Sequence, residues 1–83
     1  MNFSDLDFQS LPYGGVQATH IFDNGYGVSV VRSPMSYGGS EGFYELAVLK
    51  GTKLCYNTHI TDDVLGYLTE EHVTNLLSQV ESL

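Results

Sequence analysis

The sequence predicts an α+β fold: a four-stranded antiparallel sheet of two hairpins, packed against a C-terminal helix. Asn24-Gly25 and Gly51-Thr52 each lie between runs rich in apolar and β-branched residues, which is typical of hairpins. The C-terminal segment instead repeats apolar side chains with helical spacing. Because four short strands cannot bury one face unaided, the helix is expected to cover that face.

The chain of 83 residues is expected to form a single domain, residues 1–83. An N-terminal arm over residues 1–14 precedes the hairpins. The two hairpins occupy residues 16–58 and are joined by a glycine-rich loop. A helical segment over residues 61–82 completes the domain.

The first hairpin is predicted from Asn24-Gly25, the pair favoured in a two-residue type I′ turn, in which both central residues need positive φ. That turn places Ile21 opposite Val28 and Thr19 opposite Val30. These four side chains are expected to face the core.

The second hairpin is predicted around Gly51-Thr52, which suits a two-residue turn with glycine first. Its register places Leu49 opposite Leu54 and Lys50 opposite Lys53, the latter a mildly unfavourable pair of like charges. Alternation along the first of these strands directs two further apolar side chains to the core: Leu46 and Val48.

The C-terminal helix is predicted to begin at Thr69, an N-cap residue, with Glu70 and Glu71 favoured in the first turn by the helix dipole. Residues 61–66, TDDVLG, are expected to form a short helical turn before it. The helix carries one apolar stripe at the spacing i, i+3, i+4 and i+7: Val73, Leu76, Leu77 and Val80.

Charge is the strongest compositional signal, because ten acidic residues oppose three basic ones and leave a formal net charge of -7. The cations are Arg32, Lys50 and Lys53, too few for the phosphate contacts of direct nucleic-acid binding. An acidic surface suits a basic partner protein, such as the binding groove of a nucleic-acid enzyme. The plain alternative is that acidity only keeps a small protein soluble.

Other functional classes find little in the sequence. Cys55 is the only cysteine, so an internal disulfide and a cysteine-rich zinc site are excluded and a reducing compartment is expected. No apolar run is long enough for a membrane helix, and the acidic N-terminus lacks the features of a signal peptide. The three histidines lack metal-site spacing. No cofactor, metal or catalytic residue is therefore predicted.

The glycine-rich loop SPMSYGGSEG, residues 33–42, is the main candidate for a contact surface. It leads into a strand and holds no lysine, which argues against a phosphate-binding loop. Its length nevertheless exceeds that of a tight turn. Side chains in and around it, with the other carboxylates, are the predicted partner-binding residues: Met35, Tyr37, Glu41, Glu45, Asp62, Asp63, Glu70 and Glu71.

Three segments, NGYGVSVVR, SYGGSEGFYELAV and ITDDVLGYLTEEHV, together resemble a group of small uncharacterised accessory proteins of tailed bacteriophages. The likeness covers roughly residues 25–77. It implies phage origin, the cytoplasm of an infected bacterium and a non-enzymatic role, but it carries over no site residue.

The predicted function is that of an acidic, phage-encoded inhibitor that masks a basic surface of a host nucleic-acid-binding complex, with defence machinery such as CRISPR effectors as one target class. Two alternatives remain open. One is a binder of a small ligand or nucleotide signal, which would use Gly38-Gly39 at a dimer cleft with Arg32 nearby. The other is a minor structural component of a phage particle or a homo-oligomer.

Overall fold

The computed structural model describes residues 1–60 and 64–83, and it shows one antiparallel sheet with a helix packed against one face. The α+β class with a C-terminal helix is confirmed, but the predicted number of four strands is wrong, because two short strands, β1 and β6, also join the sheet. The elements are β1 (Gln9–Ser10), β2 (Val16–Ile21), β3 (Tyr26–Arg32), β4 (Tyr44–Lys50), β5 (Lys53–Leu54), β6 (Leu65–Leu68) and α1 (Glu70–Glu81).

The sheet follows the order β1-β2-β3-β4-β5, and β6 also pairs with β4. Strands β5 and β6 share one edge of β4, with β6 at its beginning and β5 at its end. The helix α1 covers the face to which β3 and β4 direct their fully buried side chains. We call the opposite face of the sheet the open face.

The first hairpin has a three-residue turn, so the predicted two-residue turn is wrong. The Phe22 N–H donates to the Tyr26 carbonyl at 2.8 Å, and the Gly25 N–H donates to the Phe22 carbonyl at 3.0 Å. Gly25 has φ 86, the left-handed residue that closes this type of turn. The pairing is therefore shifted by one residue, with Ile21 opposite Gly27.

This shift turns the whole of β2 over, because neighbouring side chains on a strand point to opposite faces. Ala18 is buried in place of Thr19, and Ile21 is 43% exposed on the open face. The prediction that Thr19 and Ile21 face the core is wrong. The prediction for their partners on β3 is confirmed, since Val28 and Val30 are fully buried.

Asn24 links the turn to the helix and stabilises the turn in this form. Its Nδ2 donates to the carbonyls of Val80 at 3.0 Å and Glu81 at 3.1 Å, at the C-terminus of α1. Its Oδ1 accepts from the Tyr26 N–H at 2.9 Å. One side chain thus stabilises the turn and donates to carbonyls of the last helical turn, of which the Val80 carbonyl also accepts from the Leu83 N–H at 3.2 Å.

Replacing Asn24 with aspartate is expected to lower the free energy of unfolding by about 1–3 kcal/mol. The Asn24→Asp variant keeps the acceptor for Tyr26 but loses the donor, and it places a negative charge at the negative end of the helix dipole. Urea denaturation at low and high salt measures the loss, which should shrink as salt screens the charge. The neighbouring Asp23→Asn change is the control and should stay within about 0.5 kcal/mol of wild type; equal losses in both variants would contradict this role of Asn24.

The second hairpin pairs as predicted, with Leu49 opposite Leu54 and Lys50 opposite Lys53. Strand β5 is only two residues long, although the Cys55 N–H still donates to the Val48 carbonyl at 2.8 Å. The like charges at the turn are partly balanced, because the Lys50 ammonium lies 5.0 Å from the centre of the Tyr26 ring. The predicted core positions Leu46 and Val48 are confirmed as buried.

The helix begins as predicted. The Thr69 Oγ1 accepts from the His72 N–H at 3.1 Å, and the Thr69 N–H donates to His72 Nδ1 at 3.3 Å, so a histidine completes the capping box. The predicted stripe packs on the sheet, where Val73, Leu77 and Val80 are fully buried and Leu76 is half-buried.

The segment before the helix departs from the prediction. Residues 61–63 lie outside the described part of the chain, but Leu65–Leu68 form β6 where the end of a helical turn was expected. Leu65 pairs with Leu46 and Leu68 with Tyr44, so packing against β4 outweighs the local helical signal. Between these pairs, β6 has one more residue than β4, which is a β-bulge at the sheet edge.

Candidate contact surface

The glycine-rich loop is a series of tight turns held by its own hydrogen bonds. Ser33 is buried, and its N–H donates to the Ser36 Oγ at 2.9 Å. The Ser36 hydroxyl in turn donates to the Ser33 carbonyl at 3.0 Å. At its far end the Gly38 carbonyl accepts from the N–H groups of Glu41 at 3.1 Å and Phe43 at 3.0 Å. The loop therefore has a defined shape that can hold exposed side chains in place.

The loop is fastened to the sheet at Tyr37. The Tyr37 N–H donates to the Glu45 Oε2 at 2.8 Å, and the Tyr37 carbonyl accepts from the Tyr67 N–H at 3.3 Å. Glu45 lies on β4 between the core residues Tyr44 and Leu46, so its side chain emerges on the open face. The middle of the loop is thus bound to both β4 and β6.

Two glycines let the loop and β6 approach closely. A Cβ atom on Gly66 would lie 2.5 Å from the Tyr37 Cβ, and one on Gly38 would lie 2.8 Å from the Tyr67 Cδ1. Tyr37-Gly38 therefore packs on Gly66-Tyr67 reciprocally, with each tyrosine against the other segment's glycine. The Phe43 ring lies 6.0 Å from the Tyr67 ring. We call Tyr37, Phe43 and Tyr67 the tyrosine patch.

The backbone of Tyr67 is strained. Its φ is 55, the left-handed region, which costs about 1–2 kcal/mol for a residue with a side chain. This residue is the extra one in the bulge of β6, and the bulge turns its side chain outward. Tyr67 is 59% exposed, so the strained backbone accompanies an aromatic ring at the surface rather than in the core. Tyr37, on the neighbouring loop, is 63% exposed.

The charges near the tyrosine patch are negative. Glu45 lies beside Tyr37, and Glu41 is exposed on the short turn Gly39–Glu41. Arg32 lies on the other side of the sheet, its guanidinium 5.2 Å from the centre of the Tyr44 ring. Within the described part of the chain, the one ion pair joins the Met1 amino group to Glu81 at 3.7 Å. Both carboxylates near the patch thus lack a cationic partner among these residues.

The predicted contact residues fall into separate groups. Met35, Tyr37 and Glu41 lie on the loop and Glu45 lies beneath it, and the side chain of Met35 is 86% exposed. Two others lie in the first turn of α1, which packs on the opposite face of the sheet: Glu70 and Glu71. The last two lie outside the described residues: Asp62 and Asp63.

Sequence reasoning missed Phe43 and Tyr67 as members of this surface. The signal that was present is the mirrored pair of dipeptides, Tyr37-Gly38 in the loop and Gly66-Tyr67 near the helix. The predicted helical turn over residues 61–66 hides this signal, because only a strand beside β4 brings the two dipeptides together.

Over residues 1–60 and 64–83, the side chains that could carry catalysis or bind a metal do not come together as a catalytic or metal site. The Cys55 thiol is buried and donates to the Asn57 Oδ1 at 3.0 Å rather than to a histidine. No three His, Cys, Asp or Glu side chains of this part of the chain come together as a metal site. Within the same ranges, none of the helices has the length and apolarity needed to cross a bilayer.

At Gly38 and Gly39 the backbone of the loop lies in close contact with neighbouring segments. A Cβ on Gly39 would collide with the Ser33 carbonyl oxygen, so the two chain segments touch there without a gap. Arg32, the cation that a nucleotide at this loop would need, is held by Tyr44, with its Nη1 3.4 Å from the Tyr44 hydroxyl. These contacts do not favour the small-ligand alternative.

No protein-family model, curated protein or solved structure matches this chain.

Proposed function

We propose that this chain is a non-enzymatic binding protein that masks a basic surface of a host nucleic-acid-binding complex, with the tyrosine patch as its contact surface. The observation that carries the proposal is the pair of exposed tyrosines, Tyr37 and Tyr67, on a hydrogen-bonded backbone near Glu41 and Glu45, whose carboxylates form no ion pair within residues 1–60 and 64–83. Exposed, rigid tyrosine rings are typical of binding hot spots.

The net charge of -7 supports a partner with a basic surface. Opposite charge accelerates association and selects among partners, and the grooves that bind nucleic acids are the strongly basic surfaces of a cell's proteins. Phage origin and a defence complex as the target belong to this proposal as its biological setting. The bulged strand β6 supports contact through side chains, because a bulged edge is a poor template for strand pairing.

The experiment is affinity purification from a bacterial lysate with the full chain as bait, read by mass spectrometry at increasing salt. Basic nucleic-acid-binding proteins should be enriched with wild type, released by salt, and lost with Tyr37→Ser and with Glu41→Lys. Tyr56→Ser, which removes an exposed tyrosine outside the patch, is the matched control and should retain them.

A purified partner then decides the inhibitory role. The chain should displace a fluorescently labelled oligonucleotide from that partner, and Tyr37→Ser should displace it at least about tenfold less well, since loss of a hot-spot side chain costs 1–2 kcal/mol or more. A partner that keeps its oligonucleotide in the presence of saturating chain would overturn the masking role. Partners that are indifferent to salt and to both patch variants would overturn the contact surface.

A further inference from the structure

We propose that the tyrosine patch binds an arginine side chain of the partner, with the guanidinium on the tyrosine rings and paired with the Glu45 carboxylate. This inference rests on the proposed function and names the group that the surface recognises. It starts from Glu45, whose one hydrogen bond among the described residues is the bond that Oε2 accepts from the Tyr37 N–H. A carboxylate can accept further bonds at both oxygens.

Covering the patch with a partner removes water from Glu45. Burying a carboxylate without a counter-charge costs several kcal/mol, more than one backbone N–H compensates. A partner that covers Tyr37 and the Glu45 carboxylate bonded to it is therefore favoured when it supplies a cation at this position.

The chain itself cannot supply that cation. Arg32 is stacked on Tyr44 at the other side of the sheet. Lys50 ends β4, five residues from Glu45 and so about 16 Å away at 3.3 Å per residue, and Lys53 lies opposite Lys50 on β5. The counter-charge must therefore come from the partner.

Arginine fits this place better than lysine for two reasons. The guanidinium is planar and stacks on aromatic faces, and Tyr37 and Tyr67 both offer rings that are more than half exposed. It also donates two parallel hydrogen bonds to a carboxylate, whereas an ammonium acts as a point charge. Glu41, on the adjoining turn, adds to the negative potential that draws the cation in.

The test uses defined peptides and does not depend on any host partner. Three fluorescein-labelled peptides of identical sequence carry three arginines, three lysines or three citrullines, and anisotropy measures their binding to the full chain at low salt. The arginine peptide should bind about fivefold or more tightly than the lysine peptide, and the neutral citrulline peptide should not bind.

Variants then locate the site. Tyr37→Ser and Glu45→Gln should each weaken the arginine peptide about fivefold or more. Tyr67→Asn removes the second ring. Because asparagine tolerates a left-handed backbone, this variant should remain folded. Tyr56→Ser and Asp7→Asn remove a tyrosine and a charge elsewhere and should leave binding unchanged. Circular dichroism confirms that each variant is folded, and amide shifts of Tyr37, Gly38, Gly66 and Tyr67 on titration give a second readout.

Two outcomes would overturn the inference. Equal affinity for the arginine and lysine peptides would show attraction by charge alone, and binding unaffected by the patch variants would place the peptide elsewhere on the acidic surface. Either result leaves the proposed function intact if a lysate partner is still lost with Tyr37→Ser. Conversely, an arginine preference at the patch without a nucleic-acid-binding partner would overturn the proposed function alone.

Discussion

Replacing Leu77 with alanine is expected to lower the free energy of unfolding by about 3 kcal/mol, within the 2–5 kcal/mol typical of such changes in a core. Leu77 is fully buried in the cluster that α1 forms with β3 and β4. Alanine and leucine are both good helix formers, so the loss reports packing and the cavity left behind rather than helix propensity. A domain of this size has about 4–12 kcal/mol in total, so this variant should be close to unfolding at moderate temperature.

The matched control is the next residue along the helix. Leu76 carries the same side chain but is only half-buried, so Leu76→Ala should cost less than half as much. Thermal and urea denaturation of both variants measure the difference, and each kcal/mol should lower the melting temperature by about 4–8 °C. Equal losses at the two positions would contradict the packing of α1 on the sheet through the Leu77 side of the helix.

The helix illustrates which parts of the fold could be predicted from the sequence. Its cap, its first turn and its apolar stripe depend on residues three or four apart, and the stripe on α1 was assigned correctly at all four positions. The Gly51-Thr52 turn is equally local, and its register was also correct. Features such as this cap and this turn, which depend on neighbouring residues, could therefore be predicted from the sequence.

The prediction for the first hairpin was wrong because its turn also depends on contacts with a distant element. Asn24-Gly25 fits either a two-residue or a three-residue turn, and the residues of the hairpin do not distinguish them. The hydrogen bonds from the Asn24 Nδ2 to the end of α1 favour the observed turn, and they join residues more than fifty positions apart. The observed register differs by one residue from the predicted register and leaves Ile21 exposed. No pattern within β2 could reveal this difference.

The contact surface shows the same limit. Tyr37 was predicted as a partner-binding residue of the loop, and its side chain is exposed, because a glycine-rich loop offers few places to bury an aromatic ring. Tyr67 was not assigned to the surface, since its place depends on the pairing of β6 with β4 and on a strained backbone. Strained positions at contact surfaces run against local preferences, so sequence patterns are least informative there.

Replacing Gly38 with alanine is expected to lower the free energy of unfolding by about 2–5 kcal/mol, as the sum of two effects. Gly38 has φ 80, where a residue with a side chain costs about 1–2 kcal/mol. Its new Cβ would also lie 2.8 Å from the Tyr67 ring, and such overpacking costs about 1–3 kcal/mol. Urea denaturation measures the total.

Two further glycines separate these effects. Gly42 has φ 89 and open space around it, so Gly42→Ala should show the backbone cost alone, about 1–2 kcal/mol. Gly66 has no left-handed φ, but its Cβ would lie 2.5 Å from the Tyr37 Cβ, so Gly66→Ala should show the steric cost alone, about 1–3 kcal/mol.

The same three variants test whether the reciprocal packing holds the contact surface in shape. Gly38→Ala and Gly66→Ala displace Tyr67 and Tyr37 respectively, so both should weaken arginine-peptide binding, whereas Gly42→Ala should lose stability and keep its affinity. Binding that follows stability across all three variants would mean that the patch only reports folding. If binding falls only in the two variants with a steric contact, Gly38→Ala and Gly66→Ala, recognition depends on the two tyrosines and the glycines beneath them.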